Sequence, residues 1–186
     1  MKRIIYLWVL FSFSNSFSQQ KSEVKEKREI GLEIQKYPVG TITVITYNYF
    51  FKETWAMRFR VGGNFANRKD ESGFNDDEKA NGFGGSFGIN KYVRSGNGNF
   101  IFGANVDVWN MWTKWIDYSE IPQNGKTYTL VIQPWINAGY LYNFSKKFNA
   151  GIYLGFGREI NVITDGENVG QGLMGSLTLS GNYKLN

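Results

Sequence analysis

The sequence predicts an all-β fold, an eight-stranded antiparallel up-and-down transmembrane β-barrel. Three observations carry that prediction. From about residue 28 onward apolar and polar residues alternate with period two, and no long stripe of period 3.6 appears. Aromatic residues make up 17 % of the chain and glycines number 22 against 3 prolines, which suits strands and tight turns. The spacers between strand-like runs alternate between short and long, as they do when one rim carries turns and the other carries loops.

The chain opens on Lys2 and Arg3, then an apolar run from Ile4 to Phe13, then polar Ser14, Asn15 and Ser16. Small Ser16 and Ser18 sit two apart, as at a cleavage site, so residues 1–18 read as a secretory signal peptide. The apolar run is too short to cross a bilayer as a helix. Cleavage after Ser18 removes two basic residues and no acid, taking the net charge from +5 to +3 (19 basic against 16 acidic side chains). Residues 19–28 include the charged stretch Lys21–Arg28 and read as a solvated periplasmic leader; residues 29–186 are the barrel.

Eight runs qualify as strands: 29–37, 41–52, 54–66, 83–94, 99–112, 128–145, 148–163 and 172–185. In the third, Trp55, Met57, Phe59 and Val61 share one face, opposite Ala56, Arg58, Arg60, Gly62 and Asn64. In the fourth, Phe83, Gly85, Phe87 and Ile89 oppose Gly84, Ser86, Gly88 and Asn90. In the eighth, Leu173, Leu177, Leu179, Tyr183 and Leu185 oppose Met174, Ser176, Thr178, Ser180 and Asn182. The second run is apolar on both faces and does not discriminate. Strands 2–3, 4–5 and 6–7 join through short turns, whereas 67–82, 113–127 and 164–171 are long polar loops open to an extracellular partner. Pro38-Val39-Gly40 is short on the long-loop rim and is the exception.

Alternation alone leaves the barrel's polarity open. A soluble periplasmic lipocalin-like barrel puts the apolar face inside around an apolar small molecule; a membrane barrel turns it to lipid. Glycines opposite bulky residues favour the membrane reading, because a narrow eight-stranded interior needs small side chains and a water-facing surface does not. Aromatics gathered at strand ends argue the same way, since amphipathic rings settle at membrane interfaces. Phe51, Trp55, Tyr92, Phe144 and Tyr183 are expected on the periplasmic belt with Tyr49, Phe100, Tyr142 and Phe148; Trp112 is expected on the outer belt with Trp109, Trp115 and Tyr118. Pro134 interrupts the sixth strand, which a closed barrel tolerates poorly, and is expected at the outer rim or a bulge.

This pattern resembles the small outer-membrane barrel family, the OmpA/OmpX-like and opacity-like eight-stranded proteins. The resemblance covers the whole mature chain and rests on the signal, strand count, alternation, loop rhythm and glycine–aromatic texture rather than on a motif. It implies a Gram-negative outer-membrane location, contact with outer-membrane lipid and insertion by the barrel-assembly machinery. Members serve as structural anchors, adhesins or small-solute channels. The family's last strand alternates apolar residues and ends on an aromatic; here Leu177, Leu179, Tyr183 and Leu185 alternate but Asn186 follows.

Several chemistries fall away. Gly170-Gln171-Gly172-Leu173-Met174-Gly175 has the spacing of a dinucleotide fingerprint but leads into a strand, not a helix. Gly125-Lys126-Thr127 resembles the end of a phosphate loop, yet position 120 is Glu rather than Gly. Asp76, Asp77 and Glu78, with Asp70, Glu71, Asp165 and Glu167, read as solvated loop acids without calcium-loop spacing, so no metal site is assigned. Lys and Arg form no basic stripe, so no nucleic-acid partner is expected. Cysteine and histidine are absent, which removes disulfides, a lipid-modified cysteine and the commonest general base. No cofactor or catalytic residue is expected; Arg58, Arg60, Asp107 and Glu159 read instead as a charge network filling the lumen, with Arg60 and Asp107 paired by depth.

Overall fold

The computed structural model describes residues 27–69 and 75–185. The signal peptide (1–18), the leader up to residue 26 and the acids Asp70 and Glu71 lie outside the described residues. Lys27 and Arg28, expected in the leader, already open the first strand. The strands are β1 (Lys27–Tyr37), β2 (Gly40–Lys52), β3 (Trp55–Lys69), β4 (Asp77–Ser95), β5 (Gly98–Asp117), β6 (Gln123–Asn143), β7 (Phe148–Asp165) and β8 (Gly172–Leu185). Each pairs antiparallel with the next, and β8 pairs with β1 to close the barrel.

The register fixes the barrel's shape. Cross-strand partners run from Phe100 through Tyr140, Ile152, Leu179, Ile34, Thr43, Gly63 and Phe83 to Asn110, returning to β5 ten residues further along (Phe100 to Asn110). Such a stagger tilts the strands by roughly 35–45°. Every residue of that row faces outward, which is how a period of two survives a full circuit.

The apolar set lies outside. Leu32, Val61, Phe83, Ile136, Leu154 and Leu179 are all exposed, Leu154 at 67 %. Glu33, Arg58, Arg60, Asp107 and Gln133 are buried inside. The soluble lipocalin-like alternative requires the opposite arrangement and fails on this point. Strand β2 resolves too: Ile42, Val44, Thr46, Asn48 and Phe50 point inward, and Ile45 points to lipid.

Glycines make the interior possible. A Cβ on Gly103 would stand 2.1 Å from Asn90 Oδ1 and 2.4 Å from Asn137 Oδ1. At the turn between β4 and β5, Gly96 takes a left-handed φ of 53° that other residues rarely adopt.

Three expectations need correction. The strands of the outer side run on where the sequence placed loops: β3 reaches Lys69, β4 starts at Asp77, β5 reaches Asp117 and β6 starts at Gln123. The linkers after β5 and β7 therefore shrink to 118–122 and 166–171. The apolar signal fades there because Lys79, Lys114 and Lys126 occupy the outer face, yet the hydrogen-bonded ladder continues beneath them. Pro134 sits within β6 opposite Val106, facing lipid, and the β6–β7 ladder passes from Ile132–Ile160 to Trp135–Gly157 without a shift. The bulge lies at Leu130/Val131 instead. Finally Tyr92, expected at the membrane interface, points into the lumen, as do Trp109 and Trp115. Tyr92 shares the phase of Gly88 and Asn90, and Trp109 that of Asp107; depth suggested a belt, but phase decides the face.

The other interfacial rings do face out. Trp112, Phe144 and Tyr183 are exposed, and Phe51 and Trp55 half-buried. Lys91 lies over the Trp55 ring at 5.5 Å, a cation–π contact at the short-turn rim.

Candidate functional site

Among the described residues the lumen gathers buried charged, amide and hydroxyl side chains, and its inward residues are stacked in layers. Reading β3 upward from the short-turn rim gives Ala56, then Arg58 and Arg60, then Asn64 and Ala66, then Arg68. Strand β5 repeats the sequence of layers with Ile101, then Asn105 and Asp107, then Trp109 and Met111. The lower layer is an apolar cluster of Phe50, Ala56, Tyr92, Ile101, Leu141 and Tyr153, with the Phe50 and Tyr92 rings 4.8 Å apart. The upper apolar layer joins Tyr37, Ile42, Val44, Ala66, Ala80, Trp109, Met111, Val131 and Met174.

Between them lies the waist, where charge is paired with charge. Arg58 donates to Glu33 and lies 5.4 Å over the Tyr153 ring. Arg60 Nη1 stands 3.5 Å from Asp107 Oδ2, its Nε 3.4 Å from Glu33 Oε2, and its Nη2 donates to Gln35 Oε1 at 2.8 Å. The Arg60 guanidinium lies 5.0 Å over Trp135, whose Nε1–H donates to Asp107 Oδ1 at 2.8 Å. Isolated charges would be costly in such a dry space, so each arginine is held by a carboxylate and a ring at once. Asn105 donates to Asn137 at 2.9 Å beside this group.

A second group closes the mouth above the upper apolar layer. Arg68 Nη2 lies 2.5 Å from Glu159 Oε1, and Nη1 lies 3.7 Å from Glu78 Oε2. Glu159 also accepts from Gln133 Nε2 at 3.2 Å, and Gln133 accepts from Trp109 Nε1 at 2.9 Å. Glu78 accepts the Gly170 N–H at 3.0 Å, which ties the β7–β8 linker down over the mouth.

The four residues singled out in the sequence are thus all inside but do not form one cluster. Arg58, Arg60 and Asp107 are joined at the waist through Glu33, which pairs with both arginines, while Glu159 belongs to Arg68 above. Glu33, Arg68 and Glu78 were missed, although Glu33 alternates with Leu32 and Ile34, and Arg68 continues the phase of Arg58 and Arg60. The loop acids disperse: Asp76 accepts the Tyr118 N–H at 2.5 Å, and Glu78 turns inward. Among the described residues no group of three acids could hold a metal ion. Gly170 and Gln171 lie in the linker before β8, and Thr127 donates to Glu167 O at 2.9 Å, so neither glycine motif forms a phosphate cradle.

Asp107→Asn tests the waist with little change of volume. The amide keeps an acceptor for Trp135, and Arg60 keeps Glu33 and Gln35, so the expected loss is modest, about 1–2 kcal/mol. Urea unfolding from lipid vesicles, followed by gel migration, measures it; an unchanged midpoint would discount the Arg60–Asp107 pair.

The wall and lumen together define a class: closed eight-stranded up-and-down β-barrels, apolar outside and polar within. Among solved structures the chain is similar to Neisserial surface protein A, with a TM-score of 0.52 and 12 % identity over 86 % of this chain and 96 % of that one. The N-terminal β-barrel domain of Pseudomonas aeruginosa OprF gives a TM-score of 0.48 at 12 % identity, covering 86 % of this chain and 97 % of its own. Ail, the attachment invasion locus protein of Yersinia pestis, gives 0.45 at 11 % identity, with coverage of 86 % and 97 %. At such identities the likeness concerns the fold. No family model matches the sequence, and no curated protein matches it.

Proposed function

We propose that this is an integral outer-membrane protein of a Gram-negative bacterium, exported by a cleaved signal peptide and inserted by the barrel-assembly machinery. Its role in this reading is structural or surface-binding rather than catalytic or conductive, with the outer strand ends and linkers offered to extracellular partners. One observation carries the reading: the lumen is filled by an apolar layer, a charged waist and a second apolar layer, while the apolar belt faces outward. The charged side chains there are engaged with one another, and no histidine is present to act as a base. The likeness to a neisserial surface protein supports a surface role.

Fractionation and bilayer recording test both halves. The protein should stay in the carbonate-washed outer membrane, migrate differently before and after boiling, and begin at Gln19. Reconstituted into planar bilayers, it should add no steady conductance. Release into the soluble periplasm defeats the membrane assignment, and a stable ohmic current defeats the closed lumen.

A further inference from the structure

On the outer surface of the wall, three neighbouring strands bring three lysines into one row. Lys79 of β4 is the cross-strand partner of Lys114 of β5, and Lys114 is the partner of Lys126 of β6. All three are exposed and point away from the lumen. Directly opposed residues hold their Cβ atoms about 4.5–5.5 Å apart, so three ammonium groups share a patch roughly 10 Å across. Like charges placed this way weaken strand pairing. Among the described residues none of the three forms an ion pair. Asp165 borders the same 530 Å³ groove, one carboxylate against three ammoniums.

The row's depth says what would neutralise it. One rung below, Trp112 and Tyr128 are cross-strand partners with ring centroids 5.6 Å apart, and Trp112 stacks on Phe83 at 5.6 Å. The Tyr128 hydroxyl donates to Asn110 Oδ1 at 2.8 Å, satisfying the polar side chain on the wall just beneath. Aromatic rings of this kind mark the level where hydrocarbon gives way to headgroups. Two residues further along a tilted strand rise only about 5 Å, so the lysines stand in the headgroup layer.

We propose that Lys79, Lys114 and Lys126 bind the phosphate groups of a multiply phosphorylated glycolipid in the outer leaflet, its acyl chains lying on the wall below. This rests on the outer-membrane reading above. Ammonium groups bind phosphate as point charges and need no fixed fork, which suits lysine at this place. A free anion would gain nothing from the rings and apolar wall beneath the row; a lipid gains from both.

The test uses the full mature chain folded into two kinds of vesicle, phosphatidylcholine alone and phosphatidylcholine doped with bisphosphorylated lipid A. Wild type is compared with the triple variant K79Q/K114Q/K126Q, which keeps much of each stem and removes the charge. In phosphatidylcholine alone the variant should unfold at the same temperature as wild type or higher, because the repulsion is gone. With lipid A the wild type should gain about 5 °C, the variant should not follow, and high salt should abolish the gain. Equal gains in both proteins would overturn the site, as would an equal gain from soluble inorganic polyphosphate added to plain vesicles. Failure of wild type to insert into phosphatidylcholine at all would overturn the membrane reading, and the site with it.

Discussion

Glu33→Leu should destabilise the folded barrel by about 3–5 kcal/mol, the usual cost of leaving a buried charge without its partner. Arg58 is 1 % exposed, and Glu33 is its carboxylate partner. Among the described residues its Nε and Nη1 have no acceptor, so no other group takes over. Arg60 is less affected, since Asp107 and Gln35 remain beside it. Arg58→Met should cost less than Glu33→Leu, because Glu33 then still lies 3.4 Å from Arg60. The double variant should recover most of the loss, as apolar side chains of similar volume commonly replace a buried pair without penalty. Urea midpoints in lipid vesicles give the order directly. If the double variant is as unstable as Glu33→Leu alone, lost volume rather than lost pairing explains the waist.

Trp109→Ala should cost a similar amount, about 3–5 kcal/mol, by a different route. Trp109 is completely buried at the centre of the upper apolar layer, and its removal leaves a cavity between Met111, Val131 and Ala80. It also takes away the donor that holds Gln133, and through Gln133 one of the contacts of Glu159. Trp109→Phe separates the two effects: most of the volume stays, and only the hydrogen bond goes, for about 1–2 kcal/mol. Neither variant should conduct ions, since the waist and the lower apolar layer still fill the barrel. Equal losses for the two variants would assign the effect to the hydrogen bond rather than the cavity.

The wall was legible in the sequence because a membrane barrel writes its pattern with period two, and that period survives wherever one face meets lipid. Trp55 to Val61 and Leu173 to Leu185 show it without ambiguity. Where the strands climb out of the bilayer the outer face turns polar, and the pattern vanishes although the ladder does not; hence Lys79 and Lys114 looked like loop residues. Strand β2 hid its polarity because Ile42 and Val44 face an apolar layer of the lumen rather than lipid. Charges inside were recognisable by phase, as Arg60 and Asp107 were. Their pairing was less so: Glu33 meets Arg58 across a 25-residue separation and Arg68 meets Glu159 across 91, distances set by register and stagger that alternation does not encode. Tyr92 and Trp109 show the reverse error, where an expected belt overrode a phase already in plain view.

The strands are also uneven: β1 and β2 have 11 and 13 residues, β5 and β6 have 20 and 21. The β1–β2 hairpin stops beside β3, where Asn67 N–H donates to Val39 O at 2.6 Å, while the opposite side climbs on to Asp117. The opening is therefore a cup with one low lip. A 190 Å³ notch bordered by Tyr37, Pro38 and Gly172 is also lined by Arg68 and Glu159, whereas Arg60 and Asp107 stay fully enclosed below. One interior thus holds a pair at the brim that borders a notch and a pair at the waist with no exposed surface at all. Both pairs are buried, so dissolved salt screens them far less than it would an exposed pair, and the waist least of all.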